Sequence, residues 1–398
     1  MNQRTLPLAG LRVLDLSRWI AGPHAALMMG DMGAEVIKIE SPEGDPSRNS
    51  GPFIQGESTY FMALNRSKLG LALDLRSESG KAVLRELIDK ADILVENYRP
   101  GTLTEMGFSD VVLQKLNPRL ITVSISGFGP TGPYAERGCF DSIAQAMSGL
   151  QGLTGLPDGA PVRAGYYVGD YSAALHACIG ALLAVIGREK TGLGQRVDIA
   201  LVESLLSMTA TLVPGYLGAG VSPERMGNSN SHAAPAGLFQ ARDGAVQIAA
   251  SADGLFNALA LAMDRPDLAH DARFSSNAGR LANNDALTAE IQAWAGSMGQ
   301  KELMARLVEF KVPAGPVMTI ADIVDDPQLR HNGFFAEIEH PVAGRAEFAG
   351  SPIRLRGTPA DVSRPSPGIG QHRQQVLESW LGLSAPEIKN RQDSGAFG

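Results

Sequence analysis

Few residues in this chain have the type and setting to do chemistry, and Asp170 leads them. It follows Gly169 and precedes Ala173, Ala174, Ala177, Gly180, Ala181 and Ala184 in a stretch that reads as one long helix. Two readings of its carboxylate stand side by side. As an N-cap it accepts backbone N–H groups of the first helical turn. As a nucleophile it uses the same field, because a helix N-terminus lowers a carboxyl pKa. A carboxylate ionised at pH 7 attacks a carbonyl carbon without needing a base. Other nucleophile and cofactor signatures are missing: there is no GxSxG, HExxH or Walker A motif. The seven histidines form no pair at ligand spacing, and Cys139 and Cys178 make no CxxC, so neither a metal site nor a disulfide framework is expected. Gly127-Phe-Gly129-Pro-Thr-Gly132 follows a strand and spells GxGxxG. Pro130 and Pro133 oppose the helix that a dinucleotide loop must open, so the segment reads as a rigid turn beside a ligand.

The elements that must position Asp170 alternate between strand and helix. Strands are expected at 11–17, 35–40, 92–96, 120–126 and 195–201, with helices at 21–32, 80–90, 170–190 and onward to Met208. Such alternation predicts a Rossmann-like parallel sheet with helices on both faces, an α/β fold whose ligands bind beyond the carboxyl ends of the strands. Those ends fall at Arg18–Ala21, Ser41–Arg48, Asn97–Arg99 and Gly127–Gly132. The helix at 170–190 shows no polar side before Arg188 and is expected to be buried all round. Residues 215–236, rich in Gly, Ser, Asn and Pro, read as a linker. A hairpin follows over 236–250, turning at Arg242-Asp243-Gly244. The organisation expected is a discontinuous large α/β domain, 1–224 and 326–398, with a smaller inserted α+β domain at 225–325.

Composition narrows the function classes. Of 398 residues, 44% are hydrophobic and only 19% charged, against about 25% for a typical soluble domain. A large core or a subunit interface would account for that deficit. The net charge of −7 argues against a nucleic-acid partner. The apolar run 172–187 would span about 24 Å as a helix, short of the ~30 Å hydrocarbon layer, and Met1–Gly10 has no apolar signal core. A cytoplasmic protein without a membrane partner is expected.

Particular motifs add a resemblance. Val13-Leu14-Asp15, Ala21-Gly22-Pro23, Gly33-Ala-Glu-Val-Ile-Lys-Ile-Glu40 and Gly44-Asp45 resemble the opening of the family III CoA-transferases. So do Asn65-Arg66-Ser-Lys68, Leu73-Asp74, Val95-Glu96-Asn97, Ser126 to Tyr134, Gly169-Asp170 and Gly192-Leu-Gly-Gln195, in order along nearly the whole chain. The family includes formyl-CoA and carnitine CoA-transferases and the alpha-methylacyl-CoA racemases. The resemblance implies that Asp170 is the nucleophile, forming an aspartyl anhydride and then an aspartyl-CoA thioester. It implies a CoA site at Ile20, Ala21, Ser41, Leu73, Asp74, Leu75, Arg76, Asn97, Tyr98, Arg99, Arg137 and Phe140. Ser41 and Glu105 stand where some members carry arginines, so Lys38, Arg48, Arg76 or Arg99 is expected to replace that charge. Coenzyme A enters as substrate and leaves as product, with no tightly bound cofactor and no metal. An interlocked homodimer is implied as well.

Within the family, Phe140-Asp141 replaces the His-Asp of the racemases, and phenylalanine transfers no proton. Ile20 replaces the glutamine of the formyl-CoA enzymes. These departures point to transfer between an acyl-CoA, such as succinyl-CoA, and a larger carboxylic acid, a dicarboxylate. An acyl-CoA racemase and a silent acyl-CoA-binding protein are the alternatives. Arg18 and Arg48 are candidates for the far carboxylate of the acid. Gly227, Asn228 and His232 are candidates at the substrate, with backbone N–H groups between Gly227 and Gly237 facing a developing oxyanion.

Overall fold

The computed structural model describes residues 5–398. Six parallel strands form the main sheet: β1 (Arg12–Asp15), β2 (Glu35–Glu40), β3 (Lys68–Ala72), β4 (Ile93–Glu96), β5 (Ile121–Ser126) and β6 (Arg196–Ala200). Their spatial order is β3-β2-β1-β4-β5-β6. All five pairings are parallel. The chain divides into two compact units: residues 1–150, 163–217 and 328–398, and residues 151–162 with 218–327. The segment 151–162, placed in the large domain by sequence, groups with the smaller unit.

Alternation along the strands distributes apolar side chains to two cores. Val13, Val36, Ile93 and Val95 face one side of the sheet, whereas Leu14, Ile37 and Leu94 face the other. The first side is covered by α1 (Ala21–Asp31), α4 (Asp141–Met147), α5 (Val168–Thr191) and α6 (Leu201–Met208), labels that leave α2 for Thr59–Asn65 and α3 for Glu78–Lys90. Ala21, Ala25 and Ala26 of α1 meet Ala173, Ala174, Ala177 and Ala181 of α5 in that core. Small side chains on both helices let the backbones approach closely. The second side is covered by α3 and by the helix Arg373–Leu381, where Val83, Leu84, Leu87, Val376, Leu377 and Trp380 are buried.

The long helix differs from its sequence reading. Only its alanine side is buried. Leu175, Ile179, Leu183 and Ile186 are 47%, 55%, 63% and 57% exposed. They recur at helical spacing, so large and small apolar residues occupy separate faces that composition alone had merged. At 24 residues α5 is also longer than the 16-residue run, and long and apolar enough to cross a bilayer, although 44% of its apolar window is buried within the protein.

β3 was not legible as a strand. Gly70 interrupts it, and Lys68 at its start is fully buried. Tertiary contacts account for both. The returning chain crosses over Gly70, so that a Cβ there would lie 2.8 Å from the Gly368 carbonyl oxygen and from Pro367. The Gly70 N–H donates to His372 Nδ1 at 3.0 Å, and its carbonyl accepts from the His372 N–H at 2.9 Å. The edge strand is thereby covered.

In the smaller unit, β7 (Ala236–Gln240), β8 (Ala245–Ala249) and β9 (Ala314–Pro316) form an antiparallel sheet, with the hairpin turn where the sequence put it. Buried Arg280 donates to the carbonyls of Ala234 (2.7 Å) and Phe274 (2.9 Å) and pairs with Asp253.

Gly70→Val is expected to destabilise the protein by about 1–3 kcal/mol, the usual cost of forcing atoms into a packed interior. Denaturant unfolding of the variant against wild type measures it.

Candidate active site

The carboxyl ends of β1, β4 and β5 open onto one cleft of about 460 Å³. Its wall carries Arg18, Trp19 and Ala21 from the β1–α1 turn, Asn97, Tyr98 and Arg99 after β4, and Arg137, Cys139 and Phe140 before α4. Asp170 also lines it. A second cavity of about 400 Å³ lies alongside, lined by Ser41, Leu73, Asp74, Leu75 and Arg76, with Ile39 and Met106 adding apolar surface. Arg18 and Tyr98 line both cavities. The residues expected at a CoA site therefore divide into a set around Asp170 and a set around Leu73–Arg76. Ile20 is the exception, buried at the start of α1 and lining neither cavity.

The β1–α1 turn is held from two directions. Asn97 Oδ1 accepts the Arg18 N–H and Asn97 Nδ2 donates to the Arg18 carbonyl, both at 2.7 Å. This amide thus grips the backbone of the turn rather than standing free for a ligand. The clamp fixes the next residue, Trp19, at φ 64°, a conformation a bulky side chain rarely adopts. From beneath, Lys38 donates to the Ser17 carbonyl and pairs with Asp45 at 2.8 Å. Lys68 pairs with Asp15 at 2.7 Å and donates to the Pro23 carbonyl and Asn65 Oδ1, both at 2.9 Å. Lys38, Lys68, Asp15 and Asp45 are all buried.

Those contacts correct the charge inventory. Lys38 lines the second cavity, but its ammonium is paired with Asp45 and the Ser17 carbonyl. Arg48 donates to both carboxylate oxygens of Glu40 at 2.7 Å and to the Pro367 carbonyl at 2.9 Å, and it lines neither cavity. It is therefore not the receptor for a far carboxylate. Exposed Arg76 is shared between Asp74 (2.8 Å) and Glu43 (3.1 Å) at the second cavity. Arg18, over the Tyr98 ring at 5.3 Å, exposed Arg99, and Arg137, over the Tyr134 ring at 3.9 Å, bring positive charge to the cleft that holds Asp170.

Gly227, Asn228 and His232 belong to the smaller unit. The Gly227 N–H already donates to the Gly155 carbonyl at 2.9 Å, the His232 N–H donates to Asn230 Oδ1 at 2.8 Å, and Gly237 lies in β7 opposite Ile248. The Gly227 N–H, committed to a carbonyl, does not serve as the oxyanion donor expected from sequence.

Asp170 is the third residue of α5, not its cap, because Tyr167 occupies the cap position without a side-chain bond. The capping role passes to another helix. Asp141, at the start of α4, accepts the Gly169 N–H at 2.7 Å and the Gln145 amide at 2.6 Å. Burial and the neighbouring Asp141 charge push the Asp170 carboxyl up to about 7. Sequence reasoning expected the opposite direction, since a helix end alone would lower it. Burial, Asp170 and Asp141 also push the Cys139 thiol up to about 11, so it stays protonated.

The chain matches the description of CoA-transferase family III over residues 8–373. It belongs to that family. The alpha subunit of succinyl-CoA–L-malate CoA-transferase from Chloroflexus aurantiacus is 40% identical over 393 residues, 98% of this chain and 92% of that one. The succinyl-CoA:mesaconate CoA-transferase of Haloarcula marismortui is 39% identical over 381 residues, covering 93% of this chain and 96% of the relative. A solved CAIB/BAIF family protein from Brucella suis superposes with a TM-score of 0.86 at 37% identity, covering 94% of this chain and all of that one. This family III chain is a CoA-transferase with a CAIB/BAIF-type α/β fold.

The raised Asp170 pKa has a stability consequence. The unfolded carboxyl loses its proton near 4, the folded one near 7, so the folded state holds the extra proton between those values. Stability from this group is therefore present below pH 4 and lost as pH rises toward 7. Asp170→Asn is expected to gain stability over wild type progressively from pH 4 to 7 and to hold that gain above 7. Thermal unfolding across a pH series measures the difference.

Proposed function

We propose that this enzyme moves CoA from succinyl-CoA, or a closely similar donor, to a second carboxylic acid, a dicarboxylate, through covalent intermediates on Asp170. The observation that carries the reading is the position of Asp170 on a cleft that shares Arg18 and Tyr98 with a second, partly apolar cavity. CoA has the parts to occupy both: a flat base and phosphates for the cavity of Leu73, Leu75, Met106 and Arg76, and a narrow arm leading to the carboxylate. The two named relatives act on succinyl-CoA with malate or mesaconate, which supports a diacid acceptor. Arg18, Arg99 and Arg137 supply the cleft with charge for the free carboxylate of such an acid.

The chemistry balances without ATP or a metal. An oxygen of the Asp170 carboxylate attacks the thioester carbonyl carbon, the C–S bond breaks, and CoA leaves as thiolate with the electron pair. The thiolate then attacks the Asp170 carbonyl carbon of the mixed anhydride, releasing succinate and leaving an aspartyl-CoA thioester. An acceptor carboxylate repeats the sequence in reverse, ending with acceptor-CoA and free Asp170. Each step consumes one anion and releases one. A thiol is a serviceable leaving group because its pKa lies near 8.5. Phe140 faces the same cleft without a transferable proton, so the racemase alternative lacks a group at that position. CoA enters and leaves as a substrate, and no resident cofactor is called for.

The exposed apolar face of α5 is assigned to a second chain. Leu175, Ile179, Leu183 and Ile186 present a continuous stripe that a lone subunit would leave in water. A homodimer is the simplest arrangement.

Asp170→Ala is expected to lower transfer by at least about 10³-fold while leaving acyl-CoA binding measurable, as loss of a covalent nucleophile does. Full activity in this variant would sink the mechanism. In wild type, kcat/KM for the donor is expected to rise with a limb near pH 7, because only the ionised carboxylate attacks. Sedimentation of the protein is expected to give twice the 42.0 kDa chain mass, and a stable monomer would contradict the assignment of the α5 face.

A further inference from the structure

We propose that Asp141 is a positioning residue that drives acylation: it anchors the N-terminus of α5 and opposes the negative charge of the unreacted Asp170. The inference rests on the reading of Asp170 as the nucleophile.

The geometry is specific. Asp141 is buried at 4% exposure, and its two oxygens have separate partners. Oδ1 takes the Gly169 N–H at 2.7 Å, one residue before the nucleophile, and Oδ2 takes the Gln145 amide at 2.6 Å. Gln145, itself fully buried, extends the grip: its Oε1 accepts the Ala164 N–H at 2.8 Å and its Nε2 also donates to the Tyr166 carbonyl at 3.2 Å. Two side chains one turn apart on α4 thus hold the strap 164–169 that leads into Asp170. A Cβ at Gly169 would lie 3.0 Å from Asp141 Oδ1 and 3.2 Å from Leu205, so the strap packs closely against α4 and α6 there.

A neutral hydrogen-bond acceptor would anchor the same N–H. The charge does something more. Asp141 holds a carboxylate in low-dielectric surroundings next to one that must also be ionised to react, and like charges there repel. Acylation removes the second charge, since the anhydride and the thioester of Asp170 are both neutral at that atom. The repulsion is present in the free enzyme and absent from each covalent intermediate. Asp141 therefore biases the enzyme toward the acylated forms and makes the free carboxylate more basic, by the same interaction energy.

Other groups around Asp170 do not duplicate this. Tyr60 on α2 and Tyr171 on α5 are held toward their neutral forms by burial, neighbouring tyrosines and Asp170, and the Cys139 thiol by burial and both carboxylates. His24 on α1, in edge contact with Tyr171 at 4.8 Å, is pushed down to about 4 and is neutral. Arg18, Arg99 and Arg137 line the cleft and act in the opposite sense to Asp141. From β5 and α6 the cleft receives Ile125, Ser126 and Leu201, which carry no charge.

The test is Asp141→Asn, with Asp170→Asn as reference. Two readouts are taken: the acid limb of kcat/KM for succinyl-CoA, and the equilibrium fraction of enzyme carrying covalent CoA at fixed succinyl-CoA and succinate, by intact mass. Because one interaction sets both, a limb displaced by about one pH unit toward acid must accompany an about tenfold smaller adduct equilibrium constant above the limb. A limb that stays near pH 7 with an unchanged adduct fraction would overturn the proposal, whatever happens to thermal stability. The double exchange Asp141→Asn with Gln145→Glu keeps the bond between the two side chains while moving the charge a turn away, and it should displace both readouts in the same direction. If neither form folds, Asp141 is only a structural anchor and the proposal is lost. An adduct in Asp170→Asn would instead refute the nucleophile reading itself, so the two failures are told apart.

Discussion

The site depends on holding two carboxylates near each other, Asp141 at the start of α4 and Asp170 in the first turn of α5, one to react and one not to. Each oxygen of Asp141 takes a donor, from Gly169 and from Gln145, whereas burial and the Asp141 charge push the Asp170 carboxyl up. That asymmetry separates their chemistry. An acceptor whose lone pairs are engaged is a poor nucleophile, and a half-buried carboxylate beside another charge is a strong one. The alanine packing between α1 and α5 serves this arrangement, because it lets the N-terminus of α5 approach the sheet closely enough to bring Asp170 to the carboxyl ends of the strands.

The opposite wall of the cleft is held by a different device. Four buried charges, Lys38, Lys68, Asp15 and Asp45, lie beneath the β1–α1 turn, with Asn97 gripping it from the side. Burying such groups costs several kcal/mol per ion before pairing, and pairing returns that cost only when geometry and hydrogen bonds are good. Here they are: each ammonium has two or three partners, among them the Ser17 and Pro23 carbonyls on either side of the turn. Apolar residues of similar volume would pack but would not fix those carbonyls. The network thus defines the turn that carries Arg18 and Trp19, and with it the shape shared by the two cavities.

Much of this was legible in the sequence and some could not have been. Period-two apolar segments such as 35–40 and 120–126 gave strands within a residue of their observed ends, and the general rule for parallel sheets pointed to 18–21 and 97–99, segments whose residues line the cleft with Asp170. The reactivity of Asp170 was misjudged because its pKa depends on burial and on a residue 29 positions earlier. Local sequence offers only the helix end, which acts the other way. Lys38 and Arg48 were expected to offer charge to a ligand, yet their partners Asp45 and Glu40 become neighbours only once the loop after β2 folds back. Asp141 and Gln145 were overlooked although their i, i+4 spacing on a helix opening with an acid was a usable signal. β3 went unseen because its buried lysine and central glycine answer to contacts with Asp15 and with residues 367–372, far away in the chain.

The most direct measurement follows oxygen. With an acceptor acid labelled with ¹⁸O in its carboxylate, the covalent route requires that one labelled oxygen be left on Asp170 when acceptor-CoA departs. Peptide mass spectrometry after a single turnover should then show a gain of about 2 Da, confined to the peptide bearing Asp170. An unlabelled Asp170, with the ¹⁸O found only in acceptor-CoA and succinate, would mean that the two acids exchange CoA directly and would contradict the account.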